Sequence, residues 1–94
     1  MSANPKRILI VDDEESVRES LCLLLRDRYQ VETAASATDA LSAVQRDPHP
    51  DVVLLDVLLP GSDGVSLLKS IKEVDPKIAV IMLTGAGSVR GAVQ

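Results

Sequence analysis

Aspartates at two distant points of the chain are the residues best suited to chemistry. Asp12 and Asp13 directly follow one short apolar run, and Asp56 follows another. If the two runs are neighbouring strands of a parallel sheet, their ends lie about 4.8 Å apart and the three carboxylates share a pocket. Carboxylates at such a distance repel one another, and a divalent cation relieves the repulsion. Oxygen donors without a candidate thiolate or imidazole favour Mg²⁺ over zinc.

Each of these residues alone also has a simpler explanation. Asp12 and Asp13 could cap the helix that follows them, and Asp56 could be a turn residue after a strand. Thr84 is an ordinary strand-end residue, and its hydroxyl becomes interesting only if Asp56 is its neighbour. Gly85 leaves room for a group to approach that point. The combination is much less expected by chance than any one member.

The elements that must position these residues are predicted from hydrophobic periodicity. Strands are expected over residues 8–11, 29–34, 52–55 and 78–83. Helices are expected over 14–28, from an N-cap at Ser36 to the break at Asp47-Pro48, and from the loop at 59–64 to Asp75-Pro76. A fourth helix is expected to open at Ser88. The inward-facing residues of the three complete helices are predicted to be Val17, Leu21, Leu24 and Leu25, then Ala37, Ala40, Leu41 and Val44, then Val65, Leu68 and Ile71.

Alternation of strands and helices predicts an α/β fold. The strands form a parallel sheet with helices on both faces, joined by right-handed crossovers. Ligands of such sheets bind outside the carboxyl ends of the strands, where the strand order reverses. Asp12, Asp56 and Thr84 all follow or end strands, so the site is expected at that edge of the sheet.

Composition limits the class of protein. The 94 residues, 46% hydrophobic and 26% charged, predict one ordered domain over 1–94. A net charge of −4 argues against binding nucleic acid through a basic face. Cys22 is the only cysteine, which excludes an intramolecular disulfide and favours a reducing compartment. The longest apolar stretch, 78–83, is far too short for a membrane span, and the start does not resemble a signal peptide. We therefore expect a cytoplasmic protein without membrane or direct nucleic-acid partners.

In order and spacing, three strings resemble the receiver domain of bacterial two-component response regulators. They are ILIVDDE at 8–14, VLLDV at 53–57 with LPG at 59–61 and DG at 63–64, and IMLTG at 81–85. The resemblance covers essentially the whole chain and implies a flavodoxin-like, doubly wound parallel sheet of strand order 2-1-3-4. The tail at 85–93 resembles receivers of enhancer-dependent transcription activators.

The resemblance also implies a role for each site residue. Asp56 would take a phosphoryl group from a phosphohistidine on a sensor histidine kinase. Asp13 would bind Mg²⁺ directly, Asp12 mostly through water, and the backbone carbonyl of Leu58 would complete the set with Asp56. Thr84 would contact a phosphoryl oxygen. Such a domain is a phosphorelay module rather than an enzyme, and it would control an effector domain, expected to regulate transcription, that is not in this sequence.

The sequence departs from the family after the fourth strand. The family has a fifth strand, which ends in a lysine and carries a switch aromatic, and a last helix. This chain ends before them, so we expect a piece of a longer regulator. Lys69, Lys72 and Lys77 are poorly placed to replace that lysine, and we expect weak phosphorylation. The open edge of the fourth strand would invite dimerisation or exchange of elements with another chain.

Three alternative functions differ in what they require. A pseudo-receiver would keep the fold as an interaction module without being phosphorylated. A haloacid-dehalogenase-like phosphatase needs a second aspartate two residues after the nucleophile, where this chain has Leu58. A flavodoxin needs a phosphate-binding loop after the first strand, and the acids at 12–15 would repel a phosphate. His49, between two prolines, is predicted to be solvated.

Overall fold

The computed structural model describes residues 5–61 and 63–83, in which strands and helices alternate as the sequence predicts. The elements are β1 (Arg7–Val11), α1 (Glu15–Leu25), β2 (Gln30–Ala34), α2 (Ala37–Gln45), β3 (Val52–Asp56), α3 (Gly64–Val74) and β4 (Ala79–Leu83). The first helix ends three residues before the predicted end, and every other end lies within two residues of the predicted one. The helix expected from Ser88 lies outside the described residues.

The strands form one parallel sheet in the order β2-β1-β3-β4, which confirms the predicted fold. The chain moves from β1 to β2 in one direction and from β2 through β3 to β4 in the other. Right-handed crossovers therefore place α1 on one face of the sheet and both α2 and α3 on the opposite face. In register, Val11 lies opposite both Ala34 and Leu55, so the strands end side by side.

The face under α2 and α3 holds the main core. Alternate strand residues point to it, and both helices pack their apolar stripes against them. Its central side chains are fully or almost fully buried: Leu9, Val11, Val44, Val53, Leu55, Leu67, Ile71 and Ile78. Ser36 caps α2 by accepting a hydrogen bond from Asp39 N–H at 3.1 Å, as predicted.

The face under α1 is less completely covered. Ile8 and Ile10 are buried there, but α1 itself has no buried residue. Ile81, on β4, is 50% exposed. A groove of about 530 Å³ runs beside α1 over β3 and β4, and its walls include Leu54 and Tyr29.

Two of the predicted helix stripes are partly wrong. Leu24 is 75% exposed on α1, and Val65 is 54% exposed on α3. On α3 the buried residues are instead Gly64, Leu67 and Ile71. A Cβ at Gly64 would lie 3.2 Å from Met82 Cε, so this end of α3 packs close to the sheet. In this rotation of the helix Gly64 and Leu67 face the sheet and Val65 points outward.

Within residues 5–61 and 63–83 the helices contain only 9 to 11 residues. A membrane span needs about 20 apolar residues, and none of these helices meets that requirement.

Candidate metal centre

The carboxyl ends of β1 and β3 bring the three aspartates together. Asp12 directly follows β1, and Asp56 is the last residue of β3. Carboxylate oxygens of Asp12, Asp13 and Asp56 all lie within 4.8 Å of one another. Asp12 is 8% exposed and Asp56 is 7% exposed, whereas Asp13 is exposed to solvent. Two of the three carboxylates are therefore buried at the end of the sheet, and the cluster is accessible to solvent on the side of Asp13.

Local hydrogen bonds fix Asp12 at three of its atoms. Its N–H donates to Ala34 O at 3.1 Å, which extends the pairing of β1 with β2 by one residue. Its Oδ1 accepts from Glu14 N–H at 2.9 Å, and its backbone oxygen accepts from Arg18 Nη1 at 2.8 Å. The residue is thus held by a strand, by its own loop and by α1.

Asp56 is fixed by the loop that follows it. Its Oδ1 accepts a hydrogen bond from Leu58 N–H at 3.0 Å. Val57 N–H donates to Leu83 O at 3.0 Å, which ties the start of this loop to the end of β4. The Leu58 side chain is 57% exposed, so the residue contributes to the site through its backbone.

Electrostatics at Asp12 reflect the crowding of like charge. Burial is the largest effect and raises the pKa of the Asp12 carboxyl above its usual value, although the hydrogen bond from Glu14 N–H opposes it. The negative charges of Asp56 and Asp13 raise this pKa further, and the positive charge of Arg18 lowers it. A cation placed among the three carboxylates would remove this penalty.

The donor set fits a hard divalent cation. All three side chains offer oxygen, the atom that Mg²⁺ and Ca²⁺ prefer. Ligands of an octahedral Mg²⁺ are about 3 Å apart when neighbouring and about 4.2 Å when opposite, so oxygens within 4.8 Å need only to move closer together to share the ion. The exposed position of Asp13 leaves room for the waters that Mg²⁺ retains.

The other residues predicted to belong to the site, or considered for it, do not join the carboxylate cluster within the described residues. Thr84 and Gly85 lie outside the described residues. The carbonyl of Leu58 as a metal ligand stays a prediction, because the observed contact of this residue is through its N–H. The Lys72 amine lies at the opposite end of the sheet from Asp56, at the amino ends of the strands, where its Nζ donates to Ile78 O just before β4.

Two contacts were not foreseen from the sequence. Arg18 donates a hydrogen bond to the Asp12 carbonyl. The one sequence feature that could have indicated this contact is its position one turn into α1, just after the acidic loop at residues 12–14. The prediction that His49 is solvated is wrong: its Nδ1 lies 3.2 Å from Asp75 Oδ2, and its side chain is 31% exposed. The two residues are 26 positions apart, so only the packing of the loops before β3 and β4 brings them together.

Comparison with known families gives one match over nearly the whole chain. The model of the response regulator receiver domain matches residues 8–94. The chain is 40% identical to sporulation initiation phosphotransferase F of Bacillus subtilis over 85 residues, covering 89% of this chain and 68% of that protein. It is 35% identical to the C4-dicarboxylate transport transcriptional regulatory protein DctD of Rhizobium meliloti over 95 residues, covering 100% of this chain but only 20% of that protein.

Solved structures show the same similarity. A CheY-like response regulator receiver domain protein from Methanospirillum hungatei superposes with a TM-score of 0.82 at 34% identity, covering 96% of this chain and 72% of that one. NtrX from Brucella abortus superposes with a TM-score of 0.81 at 38% identity, covering 95% of this chain and 21% of that one. The chain therefore corresponds to a small part of some relatives and to most of others.

Proposed function

Because the chain belongs to the response regulator receiver domain family, we propose that Asp56 is its phosphoacceptor. A carboxylate oxygen of Asp56 attacks the phosphorus of a phosphohistidine on a sensor histidine kinase. The new P–O bond forms as the P–N bond breaks, and the histidine nitrogen leaves with the electron pair. The observation that carries the proposal is the cluster of three carboxylates within 4.8 Å at the carboxyl ends of neighbouring strands.

The surroundings of the three carboxylates favour Asp56 over the other two as the nucleophile. Asp12 is fixed at its N–H, its carbonyl and its side chain, which holds it against its own loop and α1. Asp13 is exposed and suits direct contact with a hydrated cation. Asp56 ends a buried strand, and its Oδ1 is oriented by the N–H of Leu58.

The cation proposed for the site is Mg²⁺. Asp13 and Asp56 would hold it directly, Asp12 mostly through water, and the Leu58 carbonyl would complete the protein's contribution. When bound, Mg²⁺ neutralises charge on the phosphoryl oxygens. Asp56 then presents its oxygen to the phosphorus, while the Leu58 N–H keeps the carboxylate oriented.

Thr84 is proposed to donate a hydrogen bond to a phosphoryl oxygen once the acyl phosphate has formed. The proposal is supported by its position in the chain, because it follows Leu83, the residue in register with Asp56.

The test is intact-mass measurement after incubation with Mg²⁺ and acetyl phosphate. We expect one phosphoryl increment on the parent, below full occupancy, and none on Asp56→Asn. Asp63→Asn is the matched control, because Asp63 is an exposed aspartate seven residues further on that caps α3 and should leave the increment unchanged.

Other outcomes would identify a different function. An increment that persists in Asp56→Asn would place the acceptor elsewhere. Its absence from the parent, with a phosphorylated histidine kinase as donor as well, would favour a pseudo-receiver. Continuous release of phosphate from a phosphomonoester would favour the phosphatase alternative.

The proposed partners are a sensor histidine kinase and an effector domain that regulates transcription. The second is supported by the name of DctD, a transcriptional regulatory protein of which this chain covers 20%. Self-association through β4 is also proposed, because β4 pairs only with β3 among the described residues. A strictly monomeric species in size-exclusion chromatography at high protein concentration would contradict it.

A further inference from the structure

Arg18 contacts the acidic loop from α1, and its role is not explained by the proposed acceptor or metal ligands. Its Nη1 donates to the backbone oxygen of Asp12 at 2.8 Å. We propose that Arg18 is a positioning residue that holds the Asp12–Asp13 loop in the geometry needed to bind a divalent cation. This inference rests on the proposed function, since it concerns the same cation.

The oxygen that Arg18 contacts belongs to the peptide group between Asp12 and Asp13. Asp12 is already fixed on its other side by Ala34 O and through its side chain by Glu14 N–H. Asp13 directly follows this peptide group, so the orientation of the group sets where the Asp13 backbone, and with it the side chain, begins. The hydrogen bond from Arg18 fixes that orientation.

The backbone of Arg18 is held within α1. Arg18 N–H donates to Glu14 O at 3.1 Å, so its backbone belongs to the first turn of α1. Arginine stays protonated at all physiological pH values, and its hydrogen bonds to oxygen are charge-assisted. Because the guanidinium bonds to a carbonyl and not to a carboxylate, a cation bound by the carboxylates need not displace it.

Positioning and simple charge predict opposite effects on metal affinity. The guanidinium carries a positive charge close to a cation site, and its field lowers the pKa of the Asp12 carboxyl. By charge alone, removal of Arg18 would strengthen Mg²⁺ binding, because one repelling charge is lost. By positioning, the same removal weakens binding, because the Asp13 carboxylate is no longer held in place.

The experiment is a Mg²⁺ titration of Arg18→Met, Arg18→Gln and Arg18→Lys. Binding is monitored by NMR spectroscopy through the backbone amide resonances of Asp13 and Glu14. We expect Kd to rise about tenfold in both neutral variants, the scale of lost support behind a metal ligand. Arg18→Lys retains a charged donor and should stay within about twofold of the parent. Arg26→Met, which removes the same charge at the C-cap of α1, about two turns further along, should also stay within about twofold.

A second measurement separates positioning from a merely structural role. Urea unfolding with and without Mg²⁺ should show a larger loss in Arg18→Met when Mg²⁺ is present. Equal losses in both conditions, or unchanged or tighter Mg²⁺ binding by the neutral variants, would overturn the inference. If one neutral variant fails to fold, the other and Arg18→Lys still decide it. Failure of the parent to bind Mg²⁺ would refute the proposed metal site as well, which is a distinct result.

Discussion

The two ends of the sheet differ in how their carboxylates are surrounded. At the carboxyl end, three carboxylates lie within 4.8 Å of one another, and burial and like charge raise the pKa of Asp12. At the amino end, the carboxylates of Asp51 and Asp75 have hydrogen-bonding partners. Arg7 N–H donates to Asp51 Oδ2 at 2.8 Å, and Asp75 lies beside His49.

Asp75 shows the contrast most directly. A hydrogen bond from Lys77 N–H is the main cause that lowers the pKa of the Asp75 carboxyl, and His49 lowers it further. At the amino end, Asp51 and Asp75 are therefore stabilised by the protein itself. The carboxyl end keeps an unfavourable concentration of negative charge, which a ligand can relieve. Function is expected where the fold leaves such a penalty, and stability where it does not.

The largest expected difference between the ends is in metal binding. Asp13→Asn should weaken Mg²⁺ binding by at least about 100-fold, because it removes a proposed direct ligand. Asp51→Asn makes the same change of charge at the amino end and should alter Kd by less than about twofold. Isothermal titration calorimetry measures both. Similar losses in the two variants would mean that net charge, and not a site, attracts the ion.

Stability should change next, and with opposite signs at the two ends. In EDTA, Asp56→Asn should raise the free energy of unfolding by about 1 kcal/mol, since it removes one of three repelling charges but keeps an oxygen for Leu58 N–H. Asp51→Asn should lower it by about 0.5 kcal/mol, because it weakens the bond from Arg7 N–H. Urea denaturation followed by circular dichroism tests both, and loss of stability in Asp56→Asn would contradict the proposed penalty.

The smallest expected effect is the pH dependence of unfolding in EDTA. Because the pKa of Asp12 is raised in the folded state, its charged form destabilises the fold at neutral pH. Asp12→Asn should therefore raise the free energy of unfolding most at neutral pH, and this gain over the parent should shrink as the pH falls through the folded pKa towards the usual 3.8. The lowered pKa of Asp75 has the reverse consequence. Its contribution is present above 3.8 and is lost as pH falls further, so the cost of Asp75→Asn should vanish in acid.

Unfolding curves at several pH values between 7 and 3 would measure both differences. Parallel pH dependences for Asp12→Asn and Asp75→Asn would remove the electrostatic contrast between the two ends.

The sequence predicted the fold through its hydrophobic runs and turn residues. The runs that became β1 and β3 are continuous and apolar, because central strands of a parallel sheet are covered on both faces. Their order then placed Asp12 and Asp56 at one edge, which the structure shows as the carboxylate cluster. Residue type and strand topology were sufficient for this part of the site.

Details that depend on three-dimensional packing were not predictable. Val65 and Leu67 are both apolar and equally suitable for an inward position, and only the packing of α3 on the sheet, with Gly64 close to Met82, distinguishes them. The contact of Arg18 depends on the entry angle of α1, and the pairing of His49 with Asp75 depends on two separate loops. No periodic pattern encodes such contacts.

The position of the single aromatic residue limits how the molecule can be observed. Tyr29 lines the groove at the amino end, which Lys6 and Asp51 also line, so intrinsic ultraviolet emission reports on the end that holds no proposed ligand. An optical probe for the acidic end has to be introduced. Leu58→Trp would supply one, because this side chain is 57% exposed while its backbone N–H contacts Asp56. An indole at that position would make occupancy of the cluster visible to a fluorimeter.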